Sequence, residues 1–355
     1  MTLNIADLIT ARAASDPARP VLFHPSGTQS YRELLARADA IAARLRALLH
    51  GPAPRVALLC PNGPDYVALA HGVLRAGACL VPVAGELALP ERRAQLALTA
   101  PQVMLAAGPE PWLPYPRVET IARIDFSWCA LRITAAFPED RLAAMNPAFV
   151  RFSSGTTADS KGVVLGHETL LARVRSANRR LKITSADRVL WTLPMAHHFA
   201  VSIMLYLLEG AGIVLEDSHL AGELLTTARA HGATVFYGSP FHLALLAAED
   251  SGRAWPALRL AVSTAFALPE ATAVAFARRY GVWPAQGFGI IEAGLPLLNT
   301  DAARAKPLSV GRPDDCALRL RDERGADVVP GEIGELWLRG PGMFDAYLAP
   351  WCERA

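Results

Sequence analysis

Apolar residues alternate between two spacings along most of this chain. Residues 30–49 carry them at helical spacing, starting with a serine that is followed three residues later by a glutamate, the pattern of a capping box. Residues 55–60 form a short apolar run that is typical of a buried strand. A second helix is predicted from Pro64 to near Gly77, because proline is favoured in the first turn of a helix and glycine just beyond its end.

The alternation continues to about residue 281. Further strands are predicted at residues 79–83, 188–194, 212–217, 234–239 and 258–263, and further helices at residues 89–100, 219–232, 240–250 and 268–281. This rhythm predicts largely parallel sheets covered by helices on both faces. From about Val310, short alternating strands are separated by Gly, Asp and Pro turns, which predicts antiparallel hairpins.

We therefore predict an α/β fold with two helix-covered, mostly parallel β-sheet subdomains and a small β-barrel-like lobe. The predicted segments are residues 1–147, residues 148–308 and residues 309–355. The first boundary follows a proline-containing loop at residues 143–149. The second lies where the helical pattern ends.

Composition and charge narrow the function classes. The 355 residues are 52% hydrophobic with a net charge of +2, which excludes a disordered chain and argues against a dedicated nucleic-acid binder. A basic stretch at residues 172–182 is interpreted as a solvated helix face. The N-terminus lacks a signal-peptide pattern and no apolar run is long enough to span a bilayer, so we expect a cytoplasmic protein without membrane partners.

Five cysteines lie far apart in the sequence and form no CxxC pair. This spacing indicates neither a zinc site nor a disulfide framework. We expect buried free thiols, as in a reducing cytosol.

A hydroxyl-rich loop, VRFSSGTTADSKGVVLGH, occupies residues 150–167. Small hydroxyl residues and glycines let a backbone approach phosphate oxygens and bond them, and Lys161 adds a positive charge at the far end. The loop therefore predicts a triphosphate cradle between a strand and a helix that begins near His167. The kinase-type pattern GxxxxGK[ST] is not met, because Ser160 precedes the lysine and Gly162 follows it. A surface loop without a ligand is the alternative.

The same loop resembles the phosphate loop of the adenylate-forming superfamily, which includes acyl-CoA synthetases, aryl-CoA ligases, luciferases and peptide-synthetase adenylation domains. That loop usually reads S/T-S-G-T-T-G-x-P-K-G. Ala158 stands in place of its second glycine and Ser160 in place of its proline. The matching positions are Ser153, Ser154, Gly155, Thr156, Thr157, Lys161 and Gly162.

Four other stretches are similar to motifs of this superfamily and occur in its order. Residues 192–201 resemble the LP-x-x-H segment, and residues 258–269 resemble the loop that flanks the adenine and acyl pockets. Residues 286–294 resemble the Y-G-x-T-E segment, and residues 309–350 resemble the closing β-lobe with its GEL-x-x-RGP pattern. Together the five motifs cover essentially the whole chain.

The resemblance implies an ATP- and Mg²⁺-dependent ligase that converts a carboxylic acid to acyl-AMP and transfers the acyl group to the phosphopantetheine thiol of CoA or an acyl carrier protein. A homodimer is left open. The implied catalytic residues are Lys161, His197 and Glu292, of which Glu292 is the metal ligand. The implied nucleotide-binding residues are the loop residues Ser153, Ser154, Gly155, Thr156, Thr157 and Lys161, and then Thr264, Ala265, Phe266, Gly287, Phe288, Gly289 and Ile291.

The resemblance also places the acid pocket. Ile291 is a departure, because the usual threonine there offers a hydroxyl to the α-phosphate. No aspartate lies near His197 to pair with an amino group, so an α-amino acid is disfavoured and an aryl or short-to-medium acyl acid is expected. The implied substrate-binding residues are His197, His198, Ala200, Gly238, Ser263 and Thr264.

In the superfamily a T-G-D segment, a hinge and a small C-terminal domain with a second lysine follow the last of these motifs. The sequence reaches Ala355 before them, so we expect the N-terminal portion alone, with weak activity. The alternative is a degenerate, non-catalytic nucleotide- or acyl-binding homologue. Acid-dependent pyrophosphate exchange separates the two hypotheses.

Overall fold

The architecture comes from a computed structural model that describes residues 2–108, 110, 112–113, 116–121, 123–152 and 161–354. A π-helical turn lies at Phe199–Ile203. The helices of the described residues are α1 (Ile5–Ala14), α2 (Tyr31–Arg46), α3 (Pro64–Arg75), α4 (Leu89–Thr99), α5 (Glu139–Ala144), α6 (His167–Leu181), α7 (Met195–His198), α8 (Met204–Glu209), α9 (Ala221–Ala230), α10 (Pro240–Ala248) and α11 (Glu270–Tyr280).

The strands complete the alternation that the sequence predicts. They are β1 (Pro20–His24), β2 (Gly27–Ser30), β3 (Arg55–Leu59), β4 (Cys79–Pro82), β5 (Val103–Ala106), β6 (Arg117–Ile121), β7 (Ile124–Ala130), β8 (Pro147–Arg151), β9 (Val163–Gly166), β10 (Arg188–Trp191), β11 (Gly212–Leu215), β12 (Val235–Gly238), β13 (Leu260–Ser263), β14 (Ala285–Ile290), β15 (Gly294–Leu298), β16 (Ala317–Arg321), β17 (Glu335–Arg339), β18 (Ala346–Tyr347) and β19 (Cys352–Glu353).

The helices α2, α3 and α6 begin at the residues that the sequence predicts. The Ser30 N–H donates to Glu33 Oε2 at 2.7 Å and the Glu33 N–H donates to Ser30 Oγ at 3.3 Å, which is the predicted capping box of α2. α3 begins at Pro64, and α6 begins at His167. A strand that was not predicted, β9, occupies the end of the hydroxyl-rich stretch, directly before α6.

Two large sheets organise the described residues. The first has eight strands in the order β15-β14-β13-β12-β10-β11-β1-β2, and its pairs are parallel except at the two edges. The second has nine strands in the order β19-β18-β9-β8-β4-β3-β5-β7-β6. Only its centre, β8-β4-β3-β5, is parallel. The predicted α/β fold with two helix-covered sheets is confirmed.

The helices divide the core into three parts. The largest cluster of buried residues fills the layer between the two sheets, where α1, α3 and α6 pack on strands of both. A second cluster packs α4 and α5 against the outer face of the nine-stranded sheet. A third packs α9, α10 and α11 against the outer face of the eight-stranded sheet. Alternate residues of each central strand serve the two faces, as strand geometry requires.

The last strands of the chain form a separate hairpin and extend the nine-stranded sheet. β16 and β17 form the predicted antiparallel hairpin as a two-stranded sheet of their own. β18 then pairs with β9 at the edge of the nine-stranded sheet. The sheets draw strands from more than one predicted segment, since β1 and β2 join β10–β15. The division at residues 147 and 308 therefore stays a prediction about domains.

Two smaller expectations are corrected. The basic stretch of α6 is not a fully solvated face, because Arg173 is only 1% exposed. The cysteines are free, but Cys352 is exposed rather than buried. Among the described residues, none of the helices combines the length and the hydropathy that crossing a membrane requires.

Candidate active site

The predicted site residues that the structure describes lie on or after central strands of both sheets. Ser153, Ser154, Gly155, Thr156 and Thr157 lie outside the described residues. The strand before them, β8, ends at Arg151 in the nine-stranded sheet. The strands β12, β13 and β14 of the eight-stranded sheet carry Gly238, Ser263 and the segment from Gly287 onward. Because β12, β13 and β14 are parallel neighbours, their carboxyl ends lie on one edge of the eight-stranded sheet, and such edges bind ligands in open α/β sheets.

Lys161 and Glu292, which are far apart in sequence, meet through a tyrosine. The Tyr347 hydroxyl donates to Glu292 Oε1 at 3.2 Å, and Lys161 Nζ lies 5.0 Å from the centroid of the same ring. The backbone supports this arrangement, because the Lys161 carbonyl accepts from the N–H groups of Leu348 and Ala349, both at 3.0 Å. β18 thus brings a ring to the metal ligand and lysine that the resemblance implies.

A buried arginine fixes the turn that carries Glu292. Arg173 on α6 donates from Nη1 to the Ile291 carbonyl and from Nη2 to the Glu292 carbonyl, each at 2.9 Å, and from Nε to the Gly342 carbonyl at 2.8 Å. The Glu292 carbonyl also accepts from the Phe344 N–H at 2.7 Å. We call Lys161, Arg173, Glu292 and Tyr347 the Glu292 corner.

Burial and charge shape this corner. Burial lowers the pKa of Arg173 to about 9, and the nearby Arg151 lowers it further, while Asp345 and Glu292 raise it. Arg173 therefore remains a cation near neutral pH. Burial also raises the pKa of Tyr347, and the Glu292 carboxylate adds to the shift, so the hydroxyl keeps its proton and donates it.

The segments that the resemblance assigns to adenine lie just after β13 and along the neighbouring strand β14. Thr264 is buried after β13, whereas the Phe266 side chain is 77% exposed. Ala265 has φ of 75°, a left-handed conformation that favours glycine, the residue usual in the family. Gly287, Phe288 and Gly289 run along β14, and a side chain at Gly289 would meet the Gly294 carbonyl.

The predicted acid pocket is lined by hydroxyls at the strand ends. Ser263 is fully buried and Thr192 is largely buried, and among the described residues neither Ser263 Oγ nor Thr192 Oγ1 has a hydrogen-bond partner. Tyr237 precedes Gly238 and stacks on Trp191 with ring centroids 5.4 Å apart. Burial raises the pKa of Tyr237 to about 12, against the effect of the Thr264 and Ser202 hydroxyls beside it.

The two predicted histidines point to different surroundings. His197 Nε2 lies 2.7 Å from Glu86 Oε1, and both side chains are partly exposed. The ring of His198 turns inward and packs edge-on against Trp191, with centroids 5.5 Å apart. Burial lowers the pKa of His198 to about 3, with further lowering by Arg151 and His197, so it is neutral. Ala200 is buried in the π-helical turn that follows.

Several residues of the site were not singled out by the sequence pattern. Tyr347 lies in the FDAYLAP stretch, which matched the family only as part of the closing lobe. Arg173 was hidden in a basic run, and Glu86 and Arg151 carry no local signal of their own.

We call Tyr66, Glu86, Arg151, His197 and His198 the His197 corner.

Comparison with known proteins agrees with this geometry. The sulfoacetate–CoA ligase of Cupriavidus necator is 28% identical over 97% of this chain and 71% of its own length. The feruloyl-CoA synthase of an Amycolatopsis species is 28% identical over 95% of this chain and 70% of its own. Apo MatB from Rhodopseudomonas palustris has a similar fold, with a TM-score of 0.81 at 21% identity over 98% of this chain and 72% of that one.

The family model described as AMP-binding enzyme matches residues 9–348, nearly the whole chain. The ordered motifs and the two helix-covered sheets agree with this match. The chain belongs to the AMP-binding enzyme family.

Proposed function

We propose that this chain binds ATP and a carboxylic acid and joins them to form acyl-AMP, and that the acyl group then passes to a phosphopantetheine thiol of CoA or a carrier protein. The observation that carries the proposal is the Glu292 corner, where a cation and a carboxylate from distant segments are held together by one ring. The similar proteins named as CoA ligases support the same chemistry.

The first step is a displacement at phosphorus. A carboxylate oxygen of the acid attacks the α-phosphorus of ATP, and the bond from that phosphorus to the leaving pyrophosphate oxygen breaks. Lys161 is exposed beside the hydroxyl-rich loop, where its ammonium can stabilise charge on the phosphates. In the second step the thiol sulfur, after losing its proton, attacks the acyl carbon and AMP leaves.

The donor set at Glu292 fits a magnesium ion. Mg²⁺ is usually held in proteins by one or two carboxylates together with substrate phosphates and water. One oxygen of Glu292 accepts from Tyr347, which orients the carboxylate and leaves the other oxygen for a metal. A magnesium ion bound there would neutralise negative charge on the phosphates. Ile291 contributes its backbone carbonyl to Arg173 and offers no hydroxyl to the α-phosphate.

The acid is proposed to be an aryl or short-to-medium acyl acid. The pocket residues Gly238, Ser263 and Thr264 present small or hydroxyl side chains, and Trp191 and Tyr237 supply flat aromatic surface. No aspartate follows His197 in the helix and turn at residues 195–203 to hold an ammonium. The similar proteins act, by their names, on sulfoacetate and on a feruloyl group, one short acid and one aryl acid.

Acid-dependent ATP–pyrophosphate exchange tests the proposal. The panel contains benzoates, short- and medium-chain acids and free amino acids, each at saturating MgATP. Exchange that depends on a non-amino acid supports the ligase. Binding of MgATP and acid without exchange by the full-length protein favours the alternative, a non-catalytic binding module, for which the isoleucine at position 291 is the motivating observation. Preference for free amino acids contradicts the proposed substrate class.

A further inference from the structure

Three buried or partly buried arginines differ in their hydrogen-bond partners. Arg55 is 3% exposed and donates to the carbonyls of Ala53, Thr99 and Ala100 and to the Glu139 carboxylate. Arg173 donates to three carbonyls of the Glu292 corner. Arg151 is only partly exposed, yet among the residues the structure describes its guanidinium has no hydrogen bond and no ion pair. An unpaired charge away from water is costly, so this position is unusual for a structural arginine.

Strand geometry shows which way Arg151 points. Successive side chains of β8 alternate, and Val150 packs in the outer cluster with α4 and α5. Phe149 and Arg151 therefore face the layer between the two sheets. There the Phe149 ring lies 6.2 Å from Phe199, and the Phe199 ring lies 5.5 Å from Tyr66. The guanidinium is thus directed from the carboxyl end of β8 toward α3 and the turn after α7.

Two hydrogen-bonding groups beside Arg151 also lack partners. Tyr66 is fully buried and its hydroxyl has no hydrogen-bond partner among the described residues. His198, which directly precedes Phe199, has no hydrogen bond in the same part of the chain. Phe149 lies two residues before Arg151 on the same face of β8, and Phe199, which follows His198 directly, packs against both Phe149 and Tyr66, so the three groups lie in one region. A cation with a hydroxyl and a neutral imidazole is a donor set suited to an oxyanion.

We infer that Arg151, together with Tyr66 and His198, binds a second anionic group, a carboxylate or sulfonate, on the acid substrate. The inference rests on the proposed function of the site. The reacting carboxylate is expected beside His197, whose side chain is directed toward Glu86 at the surface. His198 points inward to Trp191. The proposed site for the second anionic group therefore lies on a different side of α7 from the carboxylate that reacts.

The test compares acids that differ only in the second charge. Succinate is paired with monomethyl succinate, and sulfoacetate with methylsulfonylacetate, and affinities are measured by isothermal titration at constant ionic strength. Wild type should bind each dianion roughly tenfold or more tighter than its neutral-ended partner, as expected for a hydrogen bond to a charged group. Arg151→Gln should remove that preference and leave the affinity for the neutral-ended acids unchanged. Arg151→Lys should keep part of it.

Arg132→Gln is the matched control, because it removes one positive charge from an exposed position outside the site and should keep the preference. Far-UV circular dichroism and thermal melting establish that each variant is folded. Equal affinity of wild type for both members of a pair overturns the inference, and so does an equal loss for both members in Arg151→Gln.

The nucleotide phosphates are the other source of an oxyanion. If Arg151→Gln weakens ATP and leaves both acid affinities intact, the guanidinium serves the nucleotide and the inference is wrong. If neutral-ended acids support pyrophosphate exchange but dianionic acids bind no more tightly than they do, the proposed function stands and only the inference fails. If no acid binds or supports exchange, both fail together.

Discussion

The two corners of the site are held in opposite ways. In the Glu292 corner, Arg173 bonds three backbone carbonyls, and Tyr347 contacts both the carboxylate and the lysine. In the His197 corner, the described residues leave Arg151, Tyr66 and His198 without hydrogen bonds. Polar groups that the protein itself satisfies preorganise a site, whereas unsatisfied donors are arranged for a ligand. Under the proposed function, the Glu292 corner serves the nucleotide and the His197 corner selects the acid.

Arg173 should have the largest effect on stability. Replacing it by leucine removes the guanidinium donor from the carbonyls of Ile291 and Gly342 and leaves the Glu292 carbonyl with the Phe344 N–H alone. Removing one partner of a buried charged network typically costs about 3–5 kcal/mol, so the urea midpoint should fall by a corresponding amount. Arg179→Leu on the same helix is the control, since its side chain is 63% exposed and its pair with Asp315 should contribute less than about 1 kcal/mol. Similar midpoints for the two variants would contradict the role given to Arg173.

Lys161 and Glu292 should matter next, and for ligand binding rather than for folding. Lys161→Ala and Glu292→Gln should each weaken MgATP by roughly 1.5–3 kcal/mol, the range for hydrogen bonds to charged groups. Glu292→Gln keeps an oxygen that can accept from Tyr347, so it isolates the loss of charge. Thermal shift with and without MgATP measures the effect, because a ligand of the native state raises its stability.

The exposed Lys306→Ala serves as the matched control for the lysine. Its stabilisation by MgATP should equal that of wild type. Equal stabilisation of wild type, Lys161→Ala and Glu292→Gln would mean that the triphosphate does not bind at the Glu292 corner.

Tyr347 allows the two links of that corner to be cut separately. Tyr347→Phe keeps the ring beneath Lys161 and loses the hydroxyl that holds Glu292, at a cost of about 1 kcal/mol in the interaction. It should raise the Mg²⁺ concentration needed for half-maximal exchange. Tyr347→Leu also loses the cation–π contact and should weaken ATP by about a further 0.5–1 kcal/mol. If the two variants behave alike in both readouts, the ring does not act on Lys161.

The sequence predicted the frame of this site better than its details. Hydrophobic spacing and capping residues are local signals, so α2, α3 and the central strands were found with their order. β9 was missed because the loop before it and the helix after it dominated the pattern. The hydroxyl-rich loop and Glu292 were placed by resemblance. That Tyr347 joins Lys161 to Glu292 depends on β18 pairing with β9, a contact between segments that no local pattern reports.

The buried arginines show the limit in another way. The stretch 172–182 has the composition of an exposed helix face, and Arg179 fits that interpretation. Arg173 has the same chemistry but lies where α6 packs against β15 and the end of the chain. Burial of a charged side chain is decided by those distant neighbours, so composition alone could not distinguish the two. Arg151 ends β8, and the local sequence does not show that its side chain faces the layer between the sheets.

The smallest expected effect concerns the pair between Glu86 and His197. Burial tends to raise the pKa of Glu86, but its backbone hydrogen bond and His197 outweigh that, and the pKa lies below its usual 4.5. Between the two values the folded state binds fewer protons than the unfolded chain. The contribution is therefore present above pH 4.5 and is lost as the pH falls through the folded pKa.

Because the side chains of His197 and Glu86 are 33% and 57% exposed, the contribution should not exceed about 1 kcal/mol. Urea unfolding of wild type and Glu86→Gln at a series of pH values from 6 downward measures it. The two stabilities should differ slightly at pH 6 and approach each other below pH 4.5. Stabilisation by MgATP should be unchanged in Glu86→Gln, since the pair has no contact with the Glu292 corner. A stability difference that stays constant across the series would show that the ionised pair is not what holds His197 at the surface.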